Sequence, residues 1–347
     1  MKSQSVFIGA HLWFLSACLL STSLLRAADD PVATLRNEVA NKGWVLFSGK
    51  TAGEYDLFLS RPDGSNRRNL TNTTDFNEYG ARFSPDSRKI LYRRLPRGKQ
   101  INHDLWGQFG SLVIANADGA NPVVYGEEAQ FPWASWSPDG SQIACLYRRE
   151  GKIRIFDFAT KKLVKEMPRQ GIFQQLFWSP NGKAFVGTAN VAGQDWNILA
   201  INIESQKSTL LSREFNCTPD WFHDSQRVIY SNRTPNLADQ YGWTMLNQAT
   251  ADGKSRTLVY GQRDKHIYFG CMSPDDKYVL FSILPKDGLV EAPMALVRLA
   301  DTPIVAPGYP ELVNLYPNAK PGPVLYLTNL PEGFEPHWTF EDVGGKK

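Results

Sequence analysis

The chain has 347 residues, of which 42% are hydrophobic, 21% charged and 12% aromatic, a composition that excludes a disordered, collagenous or coiled-coil protein. Its 38 basic and 35 acidic residues leave a net charge of +3, too near neutral for gross basicity to argue for nucleic acid or an anionic membrane as partner. The length accommodates a large core, either in two domains or in one domain built of repeats.

Residues 1–27 have the pattern of a secretory signal: Lys2 is followed by an apolar run from Val6 to about Leu25, and Ala27-Ala28 precedes Asp29-Asp30. An exported protein, periplasmic or secreted, is the expectation. Two alternatives stay open. Leu15-Ser16-Ala17-Cys18 resembles a bacterial lipobox, which would anchor the chain by a lipid on Cys18. An uncleaved run of this length would also span a bilayer. Membrane contact is expected only through such an anchor. The remaining cysteines, Cys145, Cys217 and Cys271, are odd in number and far apart. They read as small buried hydrophobes, not as a disulfide framework or a zinc site.

After a short linker at 28–42, one unit recurs. It is an aromatic, then Ser-Pro-Asp-Gly or a relative, then a β-rich apolar run. Phe83-Ser84-Pro85-Asp86-Ser87 precedes Ile90-Leu91-Tyr92, and Trp136-Ser137-Pro138-Asp139-Gly140 precedes Ile143 to Tyr147. Trp178-Ser179-Pro180-Asn181-Gly182 precedes Phe185-Val186. Trp221-Phe222-His223-Asp224-Ser225 is degenerate but precedes Val228-Ile229-Tyr230, and Met272-Ser273-Pro274-Asp275-Asp276 precedes Tyr278 to Phe281. The motif returns every 42 to 53 residues, the period of propeller blades. Each Pro-Asp-Gly is a tight turn. Further turns at Pro62-Asp63-Gly64, Asp118-Gly119 and Asp252-Gly253 join the outer strands.

Trp44 to Ser48 matches a second strand that lacks its first, and Glu335-Pro336-His337-Trp338-Thr339 matches a first strand that lacks its followers. Joined, they complete one blade from both ends. The fold expected is all-β, a six-bladed propeller of four-stranded blades over 43–342, closed by pairing of the N- and C-terminal strands, with a tail at 343–347. Insertions at 95–110 and at 285–323, the latter with eight prolines, are loops of functional size.

These repeats resemble the TolB-like propeller repeat, also described as WD40-like or PD40. The resemblance is carried by Trp136 to Gly140, Trp178 to Gly182, Glu335 to Trp338 and the Asp63 to Thr71 tail, and it covers roughly residues 43–342. The pattern departs at Trp221 to Ser225, where Phe-His replaces Ser-Pro. The resemblance implies an exported propeller. In the namesake family the propeller binds a peptidoglycan-associated lipoprotein at its channel mouth and follows an N-terminal α/β domain, for which residues 28–42 leave no room.

The sequence carries no GxSxG, HExxH or P-loop, and no GxGxxG placed in a βαβ unit. Its mature histidines are His103, His223, His266 and His337. Strand-entering segments converge on a propeller's channel, so a metal site there is constructible, alongside isolated structural histidines. The chain is also similar to oligogalacturonate lyases, propellers with a manganese site of His and Gln, through His266-Ile267-Tyr268-Phe269; Gln130 or Gln174 would complete such a site. Carboxylates at Asp75, Glu78, Glu127, Glu128, Glu214, Asp264, Glu332 and Glu335 share their loops with Arg169, Arg213, Arg263 and Lys265. They form either a solvated rim or a polar ligand site. Trp136, Trp178, Trp221 and Trp338 read as inter-blade core. Trp133, Tyr79, Phe173 and Tyr268 are candidates for a stacking platform, and Trp106 for an exposed anchor.

The expectation is therefore a non-enzymatic binding module without a cofactor, holding a protein or glycan ligand at the channel mouth through Glu78, Tyr79, Trp133, Gln174, Asn216, His266, Tyr268, Glu335 and His337. The alternative is a propeller polysaccharide lyase or glycosidase, with manganese, calcium or paired carboxylates in the channel. Propellers host unrelated functions, so the site has to decide.

Overall fold

The repeat begins as a hydrogen-bonded turn. In the computed structural model, which describes residues 30–98, 110–126, 133–191, 193–213, 215–233, 244–263, 265–285, 294–308, 312 and 316–343, the motif serine organises four of the five turns. Its hydroxyl donates to the Asp or Asn two residues on, at 2.6 Å from Ser84 and Ser137, 2.8 Å from Ser179 and 2.7 Å from Ser273. It also accepts the N–H five residues on, at 2.9–3.0 Å, which starts the second strand. The fourth turn position is left-handed in all five, at Ser87, Gly140, Gly182, Ser225 and Asp276. Where Phe222 replaces the serine, the backbone turn survives through Ser225 N–H to the Phe222 carbonyl. Replacing Ser137 with Ala removes both side-chain bonds. A loss of about 1 kcal/mol is expected, read as a lower urea midpoint at unchanged slope.

The leader with Cys18, and His103, Trp106, Glu127, Glu128, Gln130, Glu214 and Asp264, lie outside the described residues. The stretch read as a linker contains helix α1 (Pro31–Val39), capped by the Asp30 side chain, with Leu35 and Val39 buried. Their sequence spacing of four residues puts both on one helical face.

Strands follow in antiparallel meanders. β1 (Trp44–Thr51), β2 (Glu54–Ser60) and β3 (Arg68–Asn69) lie in one sheet. The next holds β4 (Phe76–Phe83), β5 (Lys89–Pro96), β6 (Ser111–Asn116) and β7 (Val123–Val124). Then come β8 (Ala134–Trp136), β9 (Gln142–Tyr147), β10 (Lys152–Asp157) and β11 (Leu163–Pro168), and after them β12 (Ile172–Trp178), β13 (Ala184–Val191), β14 (Gln194–Asn202) and β15 (Ser208–Ser212). The C-terminal strand β26 (Gly333–Thr339) returns to pair with β1, Val45 opposite Trp338 and Leu46 opposite His337, so each of these four sheets has four strands.

The rest differs from the expected separate blades. β16 (Asn216–Trp221), β17 (Arg227–Arg233), β18 (Thr244–Thr250) and β19 (Arg256–Gly261) share a single ten-stranded sheet with β20 (Lys265–Met272), β21 (Tyr278–Pro285), β22 (Met294–Arg298), β23 (Ile304–Val305), β24 (Lys320–Pro321) and β25 (Leu325–Tyr326). Two causes are visible. One parallel bridge, Thr244 opposite His266, ties β18 to β20. The proline-rich insertion lays β23 and β24 parallel outside β19. The architecture is thus an all-β, propeller-like arrangement of four-stranded blades with one larger sheet.

The core lies between successive sheets. Trp136, Trp221 and Trp338 are buried there, whereas Trp178 is half-buried and donates its indole N–H to the Gly182 carbonyl. Cys145, Cys217 and Cys271 are free and buried, and burial pushes the Cys217 thiol up to about 11.

Candidate functional site

The innermost strands repeat a bulge as well as a motif. Counting back from Phe83, Trp136, Trp178, Trp221, Met272 and Trp338, the third residue before each is Gly80, Trp133, Gln175, Thr218, Phe269 and Glu335. Five of these are left-handed, at φ +65°, +48°, +49°, +56° and +52° for Gly80, Gln175, Thr218, Phe269 and Glu335. The strand register slips at the same places. A bulge turns a strand and re-aims its side chains, here onto a common axis. One cavity is lined by Gly80 and Arg82 of β4, Trp133 and Ala134 at β8, Gln175 and Phe177 of β12, Thr218 to Asp220 of β16, Phe269 and Gly270 of β20, and Glu335 of β26.

That cavity is small because charges fill it. Arg82 of β4 pairs with Asp220 of β16 at 2.6 Å, and its guanidinium lies 4.0 Å over the Phe177 ring. Arg93 of β5 donates to both Glu335 oxygens at 3.0 and 3.1 Å, with both side chains buried, and stacks 3.8 Å over Trp133. The remaining space is about 20 Å³, room for roughly one water. Burial pushes the Glu335 carboxyl up from its usual range, and Arg93 and Arg82 pull it back.

The residue directly before the aromatic plays a second part. His337 Nδ1 accepts the Phe83 N–H at 3.0 Å, and Ser135 accepts the Trp178 N–H at 3.0 Å. These two side chains sew neighbouring strands together, while their counterparts Arg82, Phe177 and Asp220 line the cavity. Burial, aided by Arg82, holds the His337 imidazole well below its ordinary range, hence neutral.

Of the residues singled out from sequence, Trp133 and Glu335 meet at the axis through Arg93. Tyr79 is buried beside them, 5.2 Å from the Arg93 guanidinium. Gln174 is not in the cavity lining; the bulge brings Gln175 there instead, whose amide oxygen accepts from Thr188 at 2.6 Å. Asn216 donates to Ser212 at 2.9 Å and to the Arg213 carbonyl at 2.7 Å, a loop tie. His266 bonds Thr244 at 2.8 Å and stacks on Tyr268, whose hydroxyl accepts from Arg233 at 3.3 Å. His223 pairs with Asp276 at a motif turn. The described histidines therefore occupy separate places, and no group of three His, Cys, Asp or Glu gathers among the described residues. Arg82, Arg93, Phe177, Thr218 and Asp220 went unread. Their signal was present as a constant offset from the aromatic, or as position 93 carrying an arginine where Ser48, Thr188, Ser231 and Ser282 hold the matching register.

Glu78 faces a different neighbourhood. It accepts from Thr73 at 2.7 Å, near Asp56, which takes Asn69 at 2.8 Å and pairs with Arg97 at 3.6 Å. Burial, assisted by Asp56, pushes the Glu78 carboxyl up to about 7. A raised carboxyl binds its proton more tightly in the folded chain, so its contribution is full below pH 4.5 and is lost as pH rises through about 7. Glu78→Gln is expected to gain about 1–2 kcal/mol over wild type at pH 8, after allowance for solvent screening, and nothing at pH 4. Paired thermal melts across that range check the sign.

The fold and site define a propeller with an ion-paired axis. Among solved structures the chain is similar to TolB from Acinetobacter baumannii, at 16% identity and TM-score 0.58, over 86% of this chain and 67% of that one. It is similar to a putative TolB from Agrobacterium tumefaciens at 17% identity and TM-score 0.57, over 84% and 90%. A Nidogen/Laminin complex shares the arrangement at 9% identity and TM-score 0.52, over 70% and 88%. The fold is thus that of the TolB-like propellers. No protein-family model matches the chain, and no curated protein does.

Proposed function

We propose that the mature chain is an exported, six-bladed TolB-like propeller that binds a protein partner on its mouth face, the face where the chain enters each innermost strand. The leader would be removed after Ala27, and residues 43–342 would form the ring. The ten-stranded sheet then counts as two blades, and β26 on β1 closes the circle. Six inner strands lining one cavity support that count. The observation that carries the functional reading is the filled axis. With Arg82–Asp220 and Arg93–Glu335 beside it, the axial cavity among the described residues holds about one water, which favours recognition on the surface above. That surface holds a run of ring contacts, Tyr55–Phe334 at 5.1 Å and Phe334–Phe269 at 6.0 Å. Aromatic anchors of this kind dominate protein interfaces. One propeller neighbour is itself a Nidogen/Laminin complex.

A photo-crosslinking residue at Phe269, with Asp224 on the opposite face as control, tests this in the producing cell. A discrete protein adduct from position 269 alone is expected. Adducts from position 224 alone, or release of unsaturated sugars from oligogalacturonate with manganese, would overturn the reading.

A further inference from the structure

Among the described residues, Arg148 and Arg169 on the mouth face have no counter-ion. Arg148 follows β9 and Arg169 follows β11. The backbone brings them together: Gly151 N–H donates to the Arg148 carbonyl at 3.3 Å, and Arg169 N–H donates to the Gly151 carbonyl at 3.0 Å. Both side chains lean on the start of β12. Arg169 Nη1 donates to the Ile172 carbonyl at 2.7 Å, and the Arg148 guanidinium sits 5.6 Å over the Phe173 ring. Each keeps one nitrogen buried and without a hydrogen-bond partner, Nη1 of Arg148 and Nε of Arg169. Among the described residues of this blade, Glu150 pairs with Arg154, and Glu166 with Arg154 and Lys152. Desolvation lowers both guanidiniums from their ordinary range, and Arg169 lowers Arg148 further.

Two half-buried cations side by side are an arrangement that an oxyanion would complete. A guanidinium offers paired N–H donors in the geometry of a carboxylate or phosphate. We infer that Arg148 and Arg169 form an oxyanion-binding site on the mouth face, which receives a carboxylate of the protein partner, an acidic side chain flanked by apolar residues. The apolar flank is called for by Phe173, which meets Trp196 edge-on at 5.3 Å and 87°. The pair places an apolar aromatic surface beside the two arginines. This assignment rests on the mouth face being the binding face.

The test is a titration of the 15N-labelled mature protein, following the arginine Nε–H signals, with glutarate and with inorganic phosphate as separate probes. Saturable movement of the Arg148 and Arg169 signals with glutarate is expected, weakened at least tenfold in Arg148→Gln and in Arg169→Gln. Arg148→Lys, which keeps the charge and loses the fork, should fall between wild type and Arg148→Gln, and the amide spectrum away from the site reports that each variant is folded. Unsaturable movement, equal affinity in the Gln variants, or tighter binding of phosphate than of glutarate would overturn the carboxylate site. An adduct at position 269 that persists in the Gln variants while the titration fails removes this inference and leaves the functional reading. A saturable titration without any adduct overturns the functional reading, and with it the assignment to a protein partner, and leaves the oxyanion site.

Discussion

Gly43→Ala is expected to cost about 3–5 kcal/mol, among the largest effects a single methyl can produce here. Gly43 has φ +75°, and a Cβ built on it lies 1.8 Å from the Thr339 carbonyl oxygen and 2.6 Å from the Phe340 Cα. Both obstacles are backbone of the segment that carries β26, so no rotamer change relieves them. The left-handed conformation adds about 1–2 kcal/mol for an L-residue. The same seam is tied by Trp338, whose indole N–H reaches the Lys42 carbonyl at 2.6 Å, and by Trp44, whose indole N–H reaches Asp342 at 3.1 Å. Gly53→Ala is the control, because φ there is +92° with nothing within 4 Å of the added carbon; it should show the conformational cost alone. Urea unfolding gives the difference, and hydrogen exchange should show β1 and β26 amides opening first in Gly43→Ala. Equal losses at positions 43 and 53 would mean that the terminal pairing contributes little to stability.

Arg93→Met should cost a similar amount, about 3–5 kcal/mol, because it strands the buried Glu335 carboxylate. The variant also removes the stack on Trp133. The loss should be greater at pH 8 than at pH 5. Without Arg93 the already raised Glu335 carboxyl moves further up, and its folded form becomes stable only as it takes a proton at lower pH. The double variant Arg93→Met with Glu335→Gln should recover much of the loss, giving a coupling of about 1–3 kcal/mol in the cycle. Simple additivity of the two single changes would show that the pair is not linked. Gly80 belongs to the same unit. A Cβ there would lie 2.6 Å from Arg93 Nη2 and 2.9 Å from Glu335 Oε2, which accounts for a glycine where other inner strands carry Gln175, Thr218 and Phe269.

These two predictions separate what local chemistry decides from what only convergence decides. The Ser-Pro-Asp-Gly turns were legible because every bond in them spans two to five residues. A hydroxyl, a carboxylate and a residue tolerant of positive φ must occur together in the string for the turn to form. The same holds for the alternating strands after each turn and for the matching fragments at Trp44 and Trp338, which pair as their patterns required. The number of separate sheets was less legible. One parallel bridge at Thr244 and His266 and a proline-rich insertion merge two strand runs without altering the repeat.

The candidate site was legible only in outline. Loop position pointed to Trp133 and Glu335, which line the cavity, and to Gln174, one residue away from the Gln175 that does. A bulge shifts the two-residue alternation of a strand by one, and a left-handed Gln or Thr leaves no mark in composition. His337, His266 and Asn216 looked like ligand groups because histidine and asparagine have that chemistry. Nδ1 of each histidine and the Asn216 amide nitrogen bond Phe83, Thr244 and Ser212, which only packing reveals. Arg82 and Asp220 stand 138 positions apart and meet at 2.6 Å, and Arg93 crosses 242 positions to Glu335. The sequence by itself thus determined the turns, the strands, the repeat and the match of its two ends, since each follows from interactions between near neighbours or from a pattern repeated along the chain. The ion-paired axis, the neutral buried histidine and the neighbouring half-buried arginines Arg148 and Arg169 were decided by the tertiary structure, because a charge acquires its surroundings only when distant strands are brought within a few ångströms.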